Sequence, residues 1–115
     1  MSESLKKTRE FTQVYKNGIS YANRYLVMYK VENGLTQNRI GISVSKKVGN
    51  SVIRHRVTRL IRESYRLNKD KFSQGYDIVV VARASAKDKQ YKEIESALLH
   101  VGKIHKIVSE MIDCD

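Results

Sequence analysis

Arg39-Ile-Gly-Ile-Ser-Val-Ser-Lys-Lys-Val-Gly-Asn-Ser-Val-Ile-Arg-His-Arg-Val-Thr-Arg-Leu-Ile-Arg62 changes its period halfway along, and that change decides the fold. Up to Ser45 it alternates. Ile40, Ile42 and Val44 share one face and only Gly41, Ser43 and Ser45 the other, which predicts a strand whose second face is a shallow trough. Gly49-Asn50-Ser51 then breaks the strand, and Asn50 or Ser51 can cap a helix running to about Leu67 or Asn68. At about 100° per residue, Ile53, Val57, Leu60, Ile61 and Leu67 gather within roughly 120°. The opposite arc holds Arg54, His55, Arg56, Arg59, Arg62 and Arg66.

Working outward, Thr8 can cap a short helix carrying Phe11, Val14 and Tyr15 at helical spacing, with Gly18 placed to end it. Ser20 to Val31 is β-branched and aromatic, Glu32-Asn33-Gly34 is a turn signal, and Arg39 to Ser45 is expected to return as a strand. Gly75 precedes a second apolar strand, Tyr76 to Ala82. From about Gln90 a long amphipathic helix repeats Ile94, Ala97/Leu98, Val101, Ile104/His105 and Val108. Helix, strands, helix, strand, helix makes a two-layer sandwich, with a right-handed crossover around the arginine helix as the default for parallel strands.

The 115 residues carry 22 Lys+Arg against 12 Asp+Glu, a net charge of +10, and the excess is local. Residues 39–66 have eight basic side chains (Arg39, Lys46, Lys47, Arg54, Arg56, Arg59, Arg62, Arg66) against Glu63, whereas residues 67–115 balance. So concentrated a positive field attracts polyanions. The length predicts one domain, residues 1–115. Met1-Ser-Glu-Ser opens no signal peptide and the longest strongly apolar run, Ile78 to Ala82, is far too short to span a bilayer, so a cytoplasmic protein is expected. The lone Cys114 is expected to be an unpaired tail thiol.

Five arginines and no lysine on one helix favour nucleic acid over an ordinary solvated face, because the planar guanidinium matches phosphate oxygens in pairs and stacks on bases. Lys46, Lys47 and the helix N-terminus at Asn50 extend the patch. Five of the nine aromatics fall within the first 29 residues. Some of these belong to a core, but Phe11, Tyr15 and Tyr29 could line a groove that stacks single-stranded bases. There is no Gly-rich phosphate loop, no metal-ligand spacing of His and Cys, and no nucleophile set. His100 and His105 are expected to be ordinary helix residues. Three classes remain: a helix-turn-helix DNA reader, disfavoured because Arg39 to Ser45 is a strand; a structural RNA-binding protein; and a nuclease subunit that clamps RNA.

The stretch from Arg39 to Arg62 resembles the signature of the protein subunit of bacterial ribonuclease P, a strand ending Ser-x-Ser-Lys-Lys-x-Gly-Asn followed by an Arg-Asn-Arg-type helix. The likeness continues through Glu10-Phe11-x-x-Val14-Tyr15-x-x-Gly18, Ala22-Asn23-Arg24 and the strand from Asp77 to Arg83. It implies an α+β sandwich in the order α-β-β-β-α-β-α, its first three strands antiparallel, with a left-handed crossover in place of the default. It also implies a protein cofactor that binds a catalytic RNA subunit one to one and the 5′ leader of precursor tRNA, magnesium being held by RNA, with no obligatory protein partner and no protein catalytic residue. Carried over by motif, the RNA-facing positions are Lys46, Lys47, Asn50, Arg54, His55, Arg56, Arg59, Arg62 and Arg66, and the leader cleft is Phe11, Tyr15, Val27, Tyr29 and Ser43. His55 stands where the family usually has Asn, and Thr58 where it usually has Lys.

Overall fold

The computed structural model describes residues 3–109, so Cys114 and the tail around it lie outside the described part. In chain order the elements are α1 (Thr8–Asn17), β1 (Ile19–Ala22), β2 (Leu26–Glu32), β3 (Arg39–Ser43), α2 (Ser51–Asn68), β4 (Tyr76–Ala82) and α3 (Tyr91–Ile104). The β-branched and aromatic stretch from Ser20 to Val31 forms two strands, as the order α-β-β-β-α-β-α implies. Asn23 separates them: its Oδ1 accepts from the N–H groups of Tyr25 (3.1 Å) and Leu26 (2.9 Å), and its own N–H donates to the Leu26 carbonyl (2.9 Å), an asparagine-centred turn.

The sheet is mixed and ordered β1-β2-β4-β3, with β1/β2 and β2/β4 antiparallel and β3/β4 parallel. The first three strands do alternate in direction, as the resemblance implies. They are not all neighbours, however, because β4 lies between β2 and β3, and the Glu32-Asn33-Gly34 turn closes no hairpin. Ile78, Val79 and Val80 are buried on both faces, which suits the middle of a sheet, while the small residues and Arg39 of β3 suit its edge. That edge is covered. Residues 3–5 lie along it, Leu5 N–H donating to the Ile40 carbonyl (2.9 Å) and Ile40 N–H to the Glu3 carbonyl (2.7 Å), which removes an open ladder of donors and acceptors.

Strand alternation sorts the two faces. Leu26, Met28, Ile78, Val80 and Ala82 meet Val57 and Ile61 of α2 and Ile94, Leu98 and Val101 of α3 in the main core. On the other face Leu5 and Val14 bury Val79, with Phe11, Tyr29, Val31 and Val81 partly covered, so α1 lies across the sheet from α2 and α3. The buried stripe of α2 includes Ser64 and Asn68 and omits Leu67, which is 57% exposed. These polar groups are tolerated inside because they are bonded. Ser64 Oγ donates to the Leu60 carbonyl, and Asn68 Nδ2 to the Ser64 carbonyl and Glu95 Oε2 (2.8 Å each for the two asparagine bonds).

Two helix ends differ from expectation. Thr8 is not the cap of α1; Glu10 reaches back so that its Oε1 accepts from the N–H groups of Lys6 and Lys7 (2.9 Å each). At the other end of the chain α3 stops at Ile104. Lys106 adopts φ +64°, the N–H groups of Ile107 and Val108 turn back to the Gly102 carbonyl, and Val108 pairs with Phe72 instead of extending the helix.

Candidate nucleic-acid interface

The strand register places the cleft residues. On the α1 face, Tyr29, Val79 and Gly41 form one row across β2, β4 and β3, and Val27, Val81 and Ser43 form the next. The first row is roofed by α1. A Cβ on Gly41 would lie 2.7 Å from the Phe11 ring, so the trough expected there is filled by the chain's own Phe11, and only glycine admits that contact. The second row is left half-buried and open, a floor of Val27, Val81 and Ser43. Tyr15, 39% exposed, stands edge-on to Tyr29 with ring centroids 4.9 Å apart, and Phe11 follows at 6.5 Å from Tyr15. All five predicted cleft residues therefore lie on one side of the sheet. Val81 belongs with them, and the sequence hid it because an unbroken Val run does not reveal which residues face which way.

α1 is fastened by charge as well as by packing. Arg39 Nε and Nη2 donate to the two oxygens of Asp77 (2.9 and 2.7 Å), Asn33 Nδ2 adds a third bond (2.9 Å), and Arg39 also lies 3.6 Å from Glu10. Burial alone would raise the Asp77 pKa, but the Arg39 fork and the Asn33 amide prevail and hold it below the usual carboxylate value. Glu10 is held low chiefly by the Lys7 and Lys6 backbone N–H groups, with Arg39 assisting. Arg39, counted above within the basic segment, is therefore part of the scaffold.

α2 starts as expected, with Asn50 Oδ1 accepting from Ile53 N–H (3.0 Å). Its cations serve different ends. Arg56 is half-buried and donates to the carbonyls of Lys87 (3.3 Å) and Lys89 (2.6 Å), fastening α2 to the loop before α3. Arg66 is paired with Glu63, whose carboxyl it lowers. Lys46, Lys47, Arg54, Arg59 and Arg62 form no ion pair among the described residues. Arg54 is the most telling, since its Nε–H is buried and meets no acceptor among the described residues. Thr58 bonds back to the Arg54 carbonyl (2.8 Å), and His55 is exposed on the cationic side with Arg59 and Val52.

His105 is not an ordinary helix residue. Only 3% exposed, it sits edge-on to Tyr21, and its Nε2 lies 2.7 Å from the Met28 carbonyl, so that nitrogen carries the proton and donates. Burial lowers its pKa, the Met28 bond opposes this in part, and the Lys30 cation lowers it further. Among the described residues no group of three or more His, Cys, Asp or Glu side chains could hold a metal ion, and no helix is long and apolar enough to cross a membrane.

A three-helix α+β domain with a parallel β3-α2-β4 unit, an open aromatic cleft and a guanidinium-lined helix defines a narrow class. Residues 1–106 match the family model described as Ribonuclease P. The chain is 65% identical over 109 residues to the ribonuclease P protein component of Lachnoclostridium phytofermentans, covering 95% of this chain and 94% of that one. It is 54% identical to that of Alkaliphilus metalliredigens, covering 94% and 97%. Among solved structures it resembles the ribonuclease P protein of Staphylococcus aureus (TM-score 0.87, 41% identity, 95% and 100% covered) and that of Thermotoga maritima (TM-score 0.82, 31% identity, 88% and 96% covered). The chain belongs to the ribonuclease P protein family, and with it to a tRNA-processing endoribonuclease.

Proposed function

We propose that this protein binds the catalytic RNA subunit of ribonuclease P through α2 and its N-terminal loop, and holds the 5′ leader of precursor tRNA in the cleft beside α1. The observation that carries the first half is the set Lys46, Lys47, Arg54, Arg59 and Arg62, charged and forming no ion pair among the described residues, with a buried Arg54 N–H that meets no acceptor there. Asn50 and His55 flank them, while Arg56 and Arg66 add charge from positions already fastened within the protein. The leader cleft is Phe11, Tyr15, Val27, Tyr29 and Ser43, its rings offering sequence-tolerant stacking. The protein positions RNA, in the cytoplasm and one to one with the RNA subunit. Phosphodiester hydrolysis is done by that RNA with the magnesium it binds.

Reconstitution tests this reading. Added to a bacterial ribonuclease P RNA at low magnesium, the protein restores leader cleavage, and the triple variant R54A/R59A/R62A restores little while melting within a few degrees of the parent. If ~6 phosphates are engaged on single strands, log K falls with log salt at a slope near −4, and each phosphate-bound arginine removed makes it shallower by about 0.7. A salt-independent affinity, or full rescue by the triple variant, refutes the assignment.

A further inference from the structure

On the face of the sheet opposite the leader cleft, a cavity of about 220 Å³ opens between α2, β3 and the segment of residues 3–5 that lies along the β3 edge. Its floor is Ile40, Ile42 and Tyr65. The Tyr65 ring is 8% exposed and is held by Asn38 Nδ2, 3.3 Å from its hydroxyl. Arg62, Arg66 and Lys69 line the rim against the single carboxylate of Glu3. Two of these cations are already engaged, Lys69 with Glu3 (2.6 Å) and Arg66 with Glu63. Arg62 has no such partner among the described residues.

The size and the lining select an occupant. The volume is below the roughly 300–1,000 Å³ of sites for drug-sized ligands, which leaves room for one planar ring system and excludes a duplex. An apolar floor under a guanidinium and an ammonium suits a base with its own phosphate, the way unpaired nucleotides are splayed out and captured. We propose that this cavity takes one unstacked nucleotide of the catalytic RNA subunit, its base on Ile40, Ile42 and Tyr65 and its phosphate on Arg62. The inference rests on the RNA-binding reading above and names one specific contact within it. The RNA subunit is the source because the leader is assigned to the opposite face of the sheet.

The test is to fill the cavity without altering charge. Ile42→Phe is expected to weaken binding of a bacterial ribonuclease P RNA about tenfold, a typical loss for one stacked base, and to leave the salt slope unchanged. Arg62→Lys, which keeps the charge but loses the planar fork, is expected to lose several-fold with the same slope and does not disturb the core. Base methylation of the RNA subunit is expected to reveal one base that the parent protein shields and Ile42→Phe exposes again. Parent-like affinity and shielding in both variants would overturn the proposal, and so would shielding that appears only on precursor tRNA. Arg59→Ala separates the two readings: Arg59 lies outside this cavity, so a loss there beside silent Ile42→Phe and Arg62→Lys rejects the cavity alone, whereas silence in all three rejects RNA binding by α2.

Discussion

Leu26, Met28, Ile78, Val80 and Ala82, the apolar residues that β2 and β4 direct toward α2 and α3, are exposed by 5% or less, while Val27 and Val81 on the other face stay half open beside α1. The difference follows from helix length. α2 and α3 have 18 and 14 residues and together roof their side of the sheet, whereas the 10-residue α1 roofs one row of the other side and leaves the next bare. Stability is thus concentrated on one face and the surface available to a ligand on the other, as is usual for sites carried on a rigid scaffold.

Breaking the closed face has the largest expected effect. Ile61→Ala removes a fully buried side chain and is expected to cost about 2–5 kcal/mol, lowering the thermal midpoint by more than about 8 °C while the folded fraction still binds RNA. Next comes the Arg39–Asp77 pair, which joins β3 to β4 on the α1 face and, through Glu10, fastens α1. Asp77→Asn takes from a partly buried guanidinium its two-bond carboxylate partner, leaving only Glu10 at 3.6 Å, and is expected to cost about 1–3 kcal/mol in urea unfolding. Because the folded Asp77 pKa is depressed, its contribution is complete above the unfolded value of about 3.9 and is lost as pH falls through the folded one, so the variant sheds that part of the acid sensitivity.

A smaller effect is expected at His105. Its folded pKa is also depressed, so the unfolded chain takes up a proton first, and stability is complete above about pH 6.5 and declines as pH falls below it. His105→Gln, which retains a donor for the Met28 carbonyl, is expected to flatten the stability profile between pH 7 and 5.5. An unchanged profile would mean that His105 stays solvated. The smallest stability change is expected on the open face, where Tyr15→Ala costs within about 1 kcal/mol. There the effect falls on ligand: about tenfold weaker binding of leader-bearing precursor than of mature tRNA relative to the parent. Equal losses on both substrates would mean that the faces do not divide the work in this way.

Local pattern accounts for much of this. The start of β3, the Asn50 cap, the span of α2 and the full extent of β4 are all legible, because each depends on alternation, helical spacing or a capping side chain within a few residues, whereas β3 stops at Ser43, two residues short of the expected Ser45. That Phe11, Tyr15, Val27, Tyr29 and Ser43 lie on one side of the sheet followed from the motif that groups them. What escaped was non-local: the Arg39–Asp77–Glu10 tie joins three elements, Val81 enters the cleft through register with Val27 and Ser43, and Arg56 turns out to hold a loop 31–33 residues away.

By itself, then, the sequence determined which segments are helix or strand, that the charge is concentrated on α2, and which family motif the chain carries. Only the tertiary structure decided that β4 comes between β2 and β3, that Phe11 occupies the trough at Gly41, that Leu67 is outside while Ser64 and Asn68 are inside, and that His105 is buried against Met28. The reason is physical. Periodicity and caps are set by neighbours along the chain, whereas strand order, burial and the partner of a charged group depend on which surfaces meet, and that is settled when the whole core closes.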